Sequence, residues 1–217
     1  SIPSRDTNSP SGSVSINSGD SYTDSYYVTL SLSATDDEGV TGYYASTSSS
    51  TPSGSDYRWT SITSTTSYSG SKSYFSLGSS QGTRTVYVWF KDAAGNVSSP
   101  YSDSITYDSF SPSGSITINN ESNYTRYTTS ISVTISATDS VGVTGYYVST
   151  SSSSPSASAS GWTAVSSTTS YSITGNMSIT SGYGYRYVYA WFKDAAGNVS
   201  SRDSDYMYCS SSGSNCY

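Results

Sequence analysis

The chain has no histidine, only three lysines, and two cysteines confined to its last nine residues. Without histidine, neither a Ser-His-Asp nor a Cys-His arrangement for nucleophilic catalysis can be assembled. Charged residues make up 11% of the 217 positions, and the net charge is −6 with a pI near 4.3. Binding to nucleic acid relies on clustered Lys and Arg. Here Lys72, Lys91 and Lys193 are scattered, so no nucleic-acid partner is expected. No apolar run is long enough to cross a bilayer, so no membrane span is expected. Ser1 starts neither an initiator Met nor a signal peptide, which reads as a mature or excised product.

What the chain has in quantity is serine, threonine and 23 tyrosines, with aromatic residues at 14%. Short hydroxylic side chains suit strands and turns and are poor inside helices. The aromatic rings give a core something to bury. A surface poor in Lys and Glu and rich in Ser, Thr and Tyr matches secreted bacterial proteins and predicts an extracellular or cell-surface location. In such an oxidising setting Cys209 and Cys216 suit a small disulfide loop; two free thiols on a tail are the other reading.

The strongest signal is an internal repeat. Lys91-Asp92-Ala93-Ala94-Gly95-Asn96-Val97-Ser98-Ser99 recurs unchanged 102 residues later, from Lys193 to Ser201. Ser9-Pro10-Ser11-Gly12-Ser13 recurs from Ser111 at the same offset. Ser33-Ala34-Thr35-Asp36 matches Ser136-Ala137-Thr138-Asp139, Thr41-Gly42-Tyr43-Tyr44 matches Thr144-Gly145-Tyr146-Tyr147, and Trp59 matches Trp162. The period is too long for a solenoid and suits a globular sandwich. Val28, Leu30, Leu32 and Ala34 alternate with Thr and Ser, as do Ile131, Val133, Ile135 and Ala137. Val86, Val88 and Phe90 alternate with Tyr87, Trp89 and Lys91, and Val188, Ala190 and Phe192 repeat the pattern. Turns are expected at Asp37-Glu38-Gly39, Gly82 and Ala94-Gly95-Asn96. Period-two alternation with no helical stretch predicts an all-β chain with about seven strands per copy.

These motifs resemble bacterial immunoglobulin-like repeat domains of secreted and surface-attached proteins. The resemblance rests on Ser-Ala-Thr-Asp, Gly-Val-Thr-Gly-Tyr-Tyr and Trp-Phe-Lys-Asp-Ala-Ala-Gly-Asn-Val-Ser, and covers nearly the whole chain. It implies two tandem Ig-like β-sandwich modules and a stalk or adhesion role. The expected division is an arm at 1–9, modules at 10–108 and 109–208, and a tail at 209–217 holding the Cys pair.

Candidate chemistry is sparse. Lys91 and Lys193 are expected on the outward face of an exposed strand, without the burial that activates a lysine. A glycosidase needs two placed carboxylates, and Asp36-Asp37-Glu38 becomes Asp139-Ser140-Val141 in the second copy. The reading is therefore not an enzyme and no required cofactor. In an Ig-like topology, however, the loop after the second strand and the last hairpin share one pole. That would gather Asp6, Asp36 and Asp92 in one copy and Asp108, Asp139, Asp194 and Asn198 in the other, a set of hard oxygen ligands suited to calcium. The same Asp and Asn residues also suit simple turn caps. If alternation holds, Tyr87, Trp89, Tyr187, Tyr189 and Trp191 point outward as contact surfaces; cover by loops is the competing reading. Trp59 and Trp162 are expected as core or lid. Ser48, Thr51 and Ser152 lie in Ser/Thr/Pro loops suited to glycans, and Asn96, Asn120, Asn123, Asn176 and Asn198 stand in Asn-x-Ser/Thr sequons.

Finally, Arg5-Asp6-Thr7-Asn8-Ser9-Pro10 aligns with Tyr107-Asp108-Ser109-Phe110-Ser111-Pro112, the junction between the copies. A fragment of a longer array, a proteolytic product and a docking arm all fit this. The leading expectation is a subunit of an extracellular fibre or pilus-like filament. Ile2, Arg5 and Asp6 would join identical subunits head to tail, and the outer Tyr and Trp residues would make lateral contacts. An adhesin or carbohydrate-binding module, or a passive stalk, is the competing class.

Overall fold

In the computed structural model, residues 6–119, 121, 124–211, 215 and 216 are described. The chain divides into two compact units, the first ending at Asp108 and the second starting at Ser109. Each is an immunoglobulin-like β-sandwich.

The first unit comprises β1 (Ser11–Ile16), the short β2 (Tyr22–Thr23), β3 (Tyr27–Ser46), β4 (Thr60–Ser76), β5 (Gly82–Asp92) and β6 (Tyr101–Tyr107). The early part of β3 runs antiparallel between β1 and the far part of β4. After an irregularity between Thr35 and Val40, the same strand runs between the near part of β4 and β5. β5 pairs in turn with β6, whose edge takes β2 in parallel. Two long strands thus serve both sheets, and the seven expected strand positions are filled by five principal strands. The segment Asp37-Glu38-Gly39, expected as a turn, is instead a bulge inside β3.

Its cause is local. Asp36 Oδ1 accepts the N–H groups of Glu38 (3.2 Å) and Gly39 (2.8 Å), and Gly39 adopts φ +111°. A side-chain oxygen takes over donors that the ladder drops there, and glycine supplies a backbone conformation other residues rarely adopt.

Between the sheets lie Ile16, Val28, Leu30, Leu32, Ala34, Val40, Phe75, Leu77, Val86, Val88, Phe90 and Ile105, all buried. The alternation read from the sequence defines this inner face. β1 is also tied to β6, because Asp103 Oδ2 accepts the Ile16 N–H at 2.8 Å.

The second unit repeats the scheme with β7 (Ser113–Ile118), β8 (Ser130–Ser149), β9 (Thr163–Ser178), β10 (Gly184–Asp194) and β11 (Asp203–Cys209). Asp139 Oδ1 caps Val141 and Gly142 at 2.9 and 2.7 Å, with Gly142 at φ +138°. Asp203 and Asp205 accept the N–H groups of Ile116 and Ile118 at 2.8 and 2.7 Å. Among the described residues, no helix is long and apolar enough to cross a membrane.

Gly12 and Gly114 sit where a strand crosses under Phe90 and Phe192. A methyl group on Gly12 would meet the Phe90 ring and lie 2.6 Å from the Ser33 carbonyl oxygen, which is backbone and cannot swing aside. Gly12→Ala is expected to destabilise the protein by about 1–3 kcal/mol, read as a lower midpoint in chemical denaturation.

Candidate functional site

The recurring Lys-Asp-Ala-Ala-Gly-Asn-Val-Ser motif forms the hairpin after β5 and after β10, and its polar residues are turned on the backbone. Asp92 accepts the Asn96 N–H with Oδ1 (2.9 Å) and the Asn96 amide nitrogen with Oδ2 (2.7 Å). Ser98 Oγ accepts the Phe90 N–H at 3.0 Å and donates to the Ser99 carbonyl at 2.8 Å. In the second unit Asp194 Oδ1 accepts the N–H groups of Gly197 and Asn198, Oδ2 takes the Asn198 amide, and Ser200 repeats Ser98. Gly95 and Gly197, at φ +90° and +96°, complete the turns. The side-chain amides of Asn96 and Asn198, expected as glycan acceptors, thus donate to the Asp residues that open their hairpins. Asn176 is exposed on β9, and Ser48, Thr51 and Ser152 are exposed in their loops.

Trp89 and Trp191 also require correction. Both side chains are fully buried, not outward contacts. Alternation does turn them away from the inner core, but the loop before β4 folds over that outer face. Trp89 packs against Tyr44, which in turn meets Trp59, with Tyr87 and Val97 at the margin. Trp191 meets Tyr147 edge-on at 6.0 Å, and Tyr147 meets Trp162 at 5.7 Å. Lys91 and Lys193 are half-buried rather than outward and free. Their ammonium groups lie 4.9 and 5.0 Å from the Trp59 and Trp162 ring centroids and donate to the carbonyls of Gly54 and Ala157 at 2.9 Å. The loop is thereby latched onto the sheet. Tyr87 and Tyr189 are half-buried beside these boxes.

Genuinely exposed aromatics cluster elsewhere. On the outer face of β10 and β11, Tyr185 lies 5.3 Å from Tyr206 and 5.0 Å from Tyr208, and Tyr187 lies 5.4 Å from Tyr206. Tyr187 stacks on Tyr189 at 6.1 Å. Tyr185, Tyr187 and Tyr206 are 60%, 42% and 48% exposed. Glu121, Tyr185, Asp205, Tyr206 and Tyr208 line a hollow of about 440 Å³. Burial, and then the neighbouring Asp205, push the Glu121 carboxyl above its usual pKa. At the corresponding first-unit positions stand Thr83, Thr85, Ser104 and Thr106, so a copy-to-copy comparison at the repeat offset could have found this face.

Carboxylates gather at the start of the first module. Oxygens of Asp6, Asp36 and Asp37 lie within 4.8 Å of one another. Asp6 Oδ1 accepts the Asn8 N–H, Asn8 donates its amide to Asp37 Oδ2, and Asn96 donates to the Asp6 carbonyl at 3.3 Å. Asp92 was expected here, but both its oxygens serve Asn96 and Asp37 takes its place. Asp108 closes the first unit, where its N–H donates to the Thr23 carbonyl at 2.9 Å. Asp139 and Asp194 hold the bulge and the hairpin of the second unit, as described above. Ile2, Arg5, Asn120 and Asn123 lie outside the described residues.

Cys209 and Cys216 form a disulfide. The buried Arg186 guanidinium donates to both sulfurs and to the carbonyls of Thr125, Thr128 and Thr180. Desolvation lowers its pKa. Arg84 makes the simpler first-unit version, with two donations to the Leu77 carbonyl.

No family model matches the chain, and no curated protein does. Among solved structures it is similar to the fibronectin(III)-like modules of Clostridium thermocellum CbhA, with 14% identity, coverage of 90% of this chain and 93% of that one, and a TM-score of 0.40. It is also similar to the D00-D0 domain of intimin (11% identity, 92% and 100% coverage, TM-score 0.39). The human OSCAR ligand-binding domain gives 9% identity, 91% and 97% coverage, and a TM-score of 0.34.

Trp89→Ala is expected to cost about 3–5 kcal/mol in denaturant unfolding, the cost of emptying a core site, whereas an exposed contact residue would cost under about 0.5 kcal/mol. Cys209→Ser with Cys216→Ser is expected to lower stability by about 2.5 kcal/mol, given the short loop the bond closes.

Proposed function

We propose that this chain is a non-enzymatic structural module of an extracellular bacterial fibre or surface stalk, strung head to tail with identical copies through its N-terminal segment. The observation that carries the reading is that the lead-in to the first module repeats the lead-in to the second: Asp6 and Ser9-Pro10 stand where Asp108 and Ser111-Pro112 stand. A module that receives the same lead-in twice is suited to serial connection, and a heterologous contact that does not close grows into a filament. The polar residues described above serve the backbone, which supports a scaffold role over turnover. Asp6 and Asn8 are bonded to their own module, so the donor segment is narrowed to residues 1–5.

The tyrosine face of β10 and β11 favours a second reading, an adhesin that stacks saccharide rings on Tyr185, Tyr187 and Tyr206 with Glu121 and Asp205 as acceptors. Aromatic surface of this kind, flanked by polar groups, marks contact sites.

Deleting residues 1–5 is expected to convert filaments into monomers of unchanged melting temperature, by negative-stain microscopy and size-exclusion chromatography. Filaments that persist in the truncation rule out the arm. Tyr185→Thr with Tyr187→Thr, which installs the first-module residues, is expected to leave filaments intact and to abolish retention on immobilised polysaccharide if the adhesin reading holds.

A further inference from the structure

We infer that Asp6, Asp36 and Asp37 form a calcium site that clamps the N-terminal lead-in onto the bulge of β3, independently of whether the chain polymerises.

Three oxygens within 4.8 Å of one another share a point roughly 2.8 Å or less from each, close to the 2.3–2.6 Å of calcium–oxygen bonds. A second observation points to a ligand. Asp36 is only 9% exposed, its Oδ1 is occupied by the bulge N–H groups, and its Oδ2 is buried with no hydrogen-bond partner. Asp6 Oδ2 is likewise buried without a partner. A buried carboxylate oxygen with nothing to accept is costly. Two such oxygens, one on each of two neighbouring carboxylates, are acceptors that a cation would satisfy. Among the described residues Asp6, Asp36 and Asp37 have no ion pair with a basic side chain.

The donor chemistry selects the ion. All three side chains offer hard oxygens, the chain lacks histidine, and both cysteines are in a disulfide, which disfavours zinc and the softer metals. The adjoining hollow of about 370 Å³ is lined by Asn8, Ser9, Thr35, Asp36 and Asp37 and leaves room for hydroxyl or water ligands. That open surround suits the six to eight flexible ligands of calcium better than the tight octahedron of magnesium. With Asp37 exposed, the affinity falls in the range of extracellular modules, about 10⁻⁴–10⁻³ M.

The test is calcium titration of the full chain by isothermal calorimetry, with melting temperature in calcium against EDTA. The variant is Asp36→Asn with Asp37→Ser. Asparagine keeps an oxygen for the Glu38 and Gly39 N–H groups, and serine is the second-copy residue at that position, so the fold is preserved. Circular dichroism without calcium checks this. The expected result is that the variant binds one equivalent less calcium than the wild type and loses part of the calcium-dependent rise in melting temperature. Equal calcium uptake by the two proteins, or no uptake by either, overturns the site. An equal response to magnesium at matched concentration overturns the assignment to calcium.

Discussion

The architecture depends on one carboxylate per module. Asp36 and Asp139 each hold two backbone N–H groups at the point where a twenty-residue strand leaves one sheet and joins the other. Without that capping, the Gly39 and Gly142 donors would be buried and unmet, a penalty comparable to losing the hydrogen bonds outright. With it, a single strand builds both walls of the sandwich. A further irregularity between Val40 and Gly42 shifts which side chains turn inward, so Leu30, Leu32, Val40 and Tyr43 all reach one core.

The same economy runs through the rest of the chain. A protein with so few charges places several of its carboxylates on main-chain donors: Asp92 and Asp194 in the hairpins, Asp103, Asp203 and Asp205 between the sheets. Serine does equivalent work at Ser98 and Ser200. Arg186 supplies the opposite service, gathering carbonyls and sulfurs at the end of the second module. The repeated motif is thus conformational chemistry, with its Lys, Asp and first Ser answering backbone groups that the ladder leaves unpaired.

Much of the architecture was legible because alternation is a direct consequence of strand geometry. Val28, Leu30, Leu32 and Ala34 read as one face and form one. Strand continuity was not legible: Asp37-Glu38-Gly39 carries turn composition, and only the capping by Asp36 makes it a bulge. The fate of Trp89 was hidden for another reason. Alternation tells which face a side chain leaves from, not what folds over that face, and the covering loop is a serine-rich stretch with no periodicity. The tyrosine cluster of β10 and β11 was partly visible through Tyr187 and Tyr189. Its centre needed cross-strand register, which pairs Tyr187 with Tyr206 and Tyr185 with Tyr208.

Continuous strands shared between two sheets also bear on mechanical load. In a sandwich whose sheets are joined only by loops, tension can peel one layer away and leave the other folded. Here β3 and β4 belong to both layers, so a pull that strips either from one layer drags covalently on its neighbour. Separating the layers of a module therefore requires breaking β3 and β4 themselves out of their ladders, beyond straightening a connecting loop.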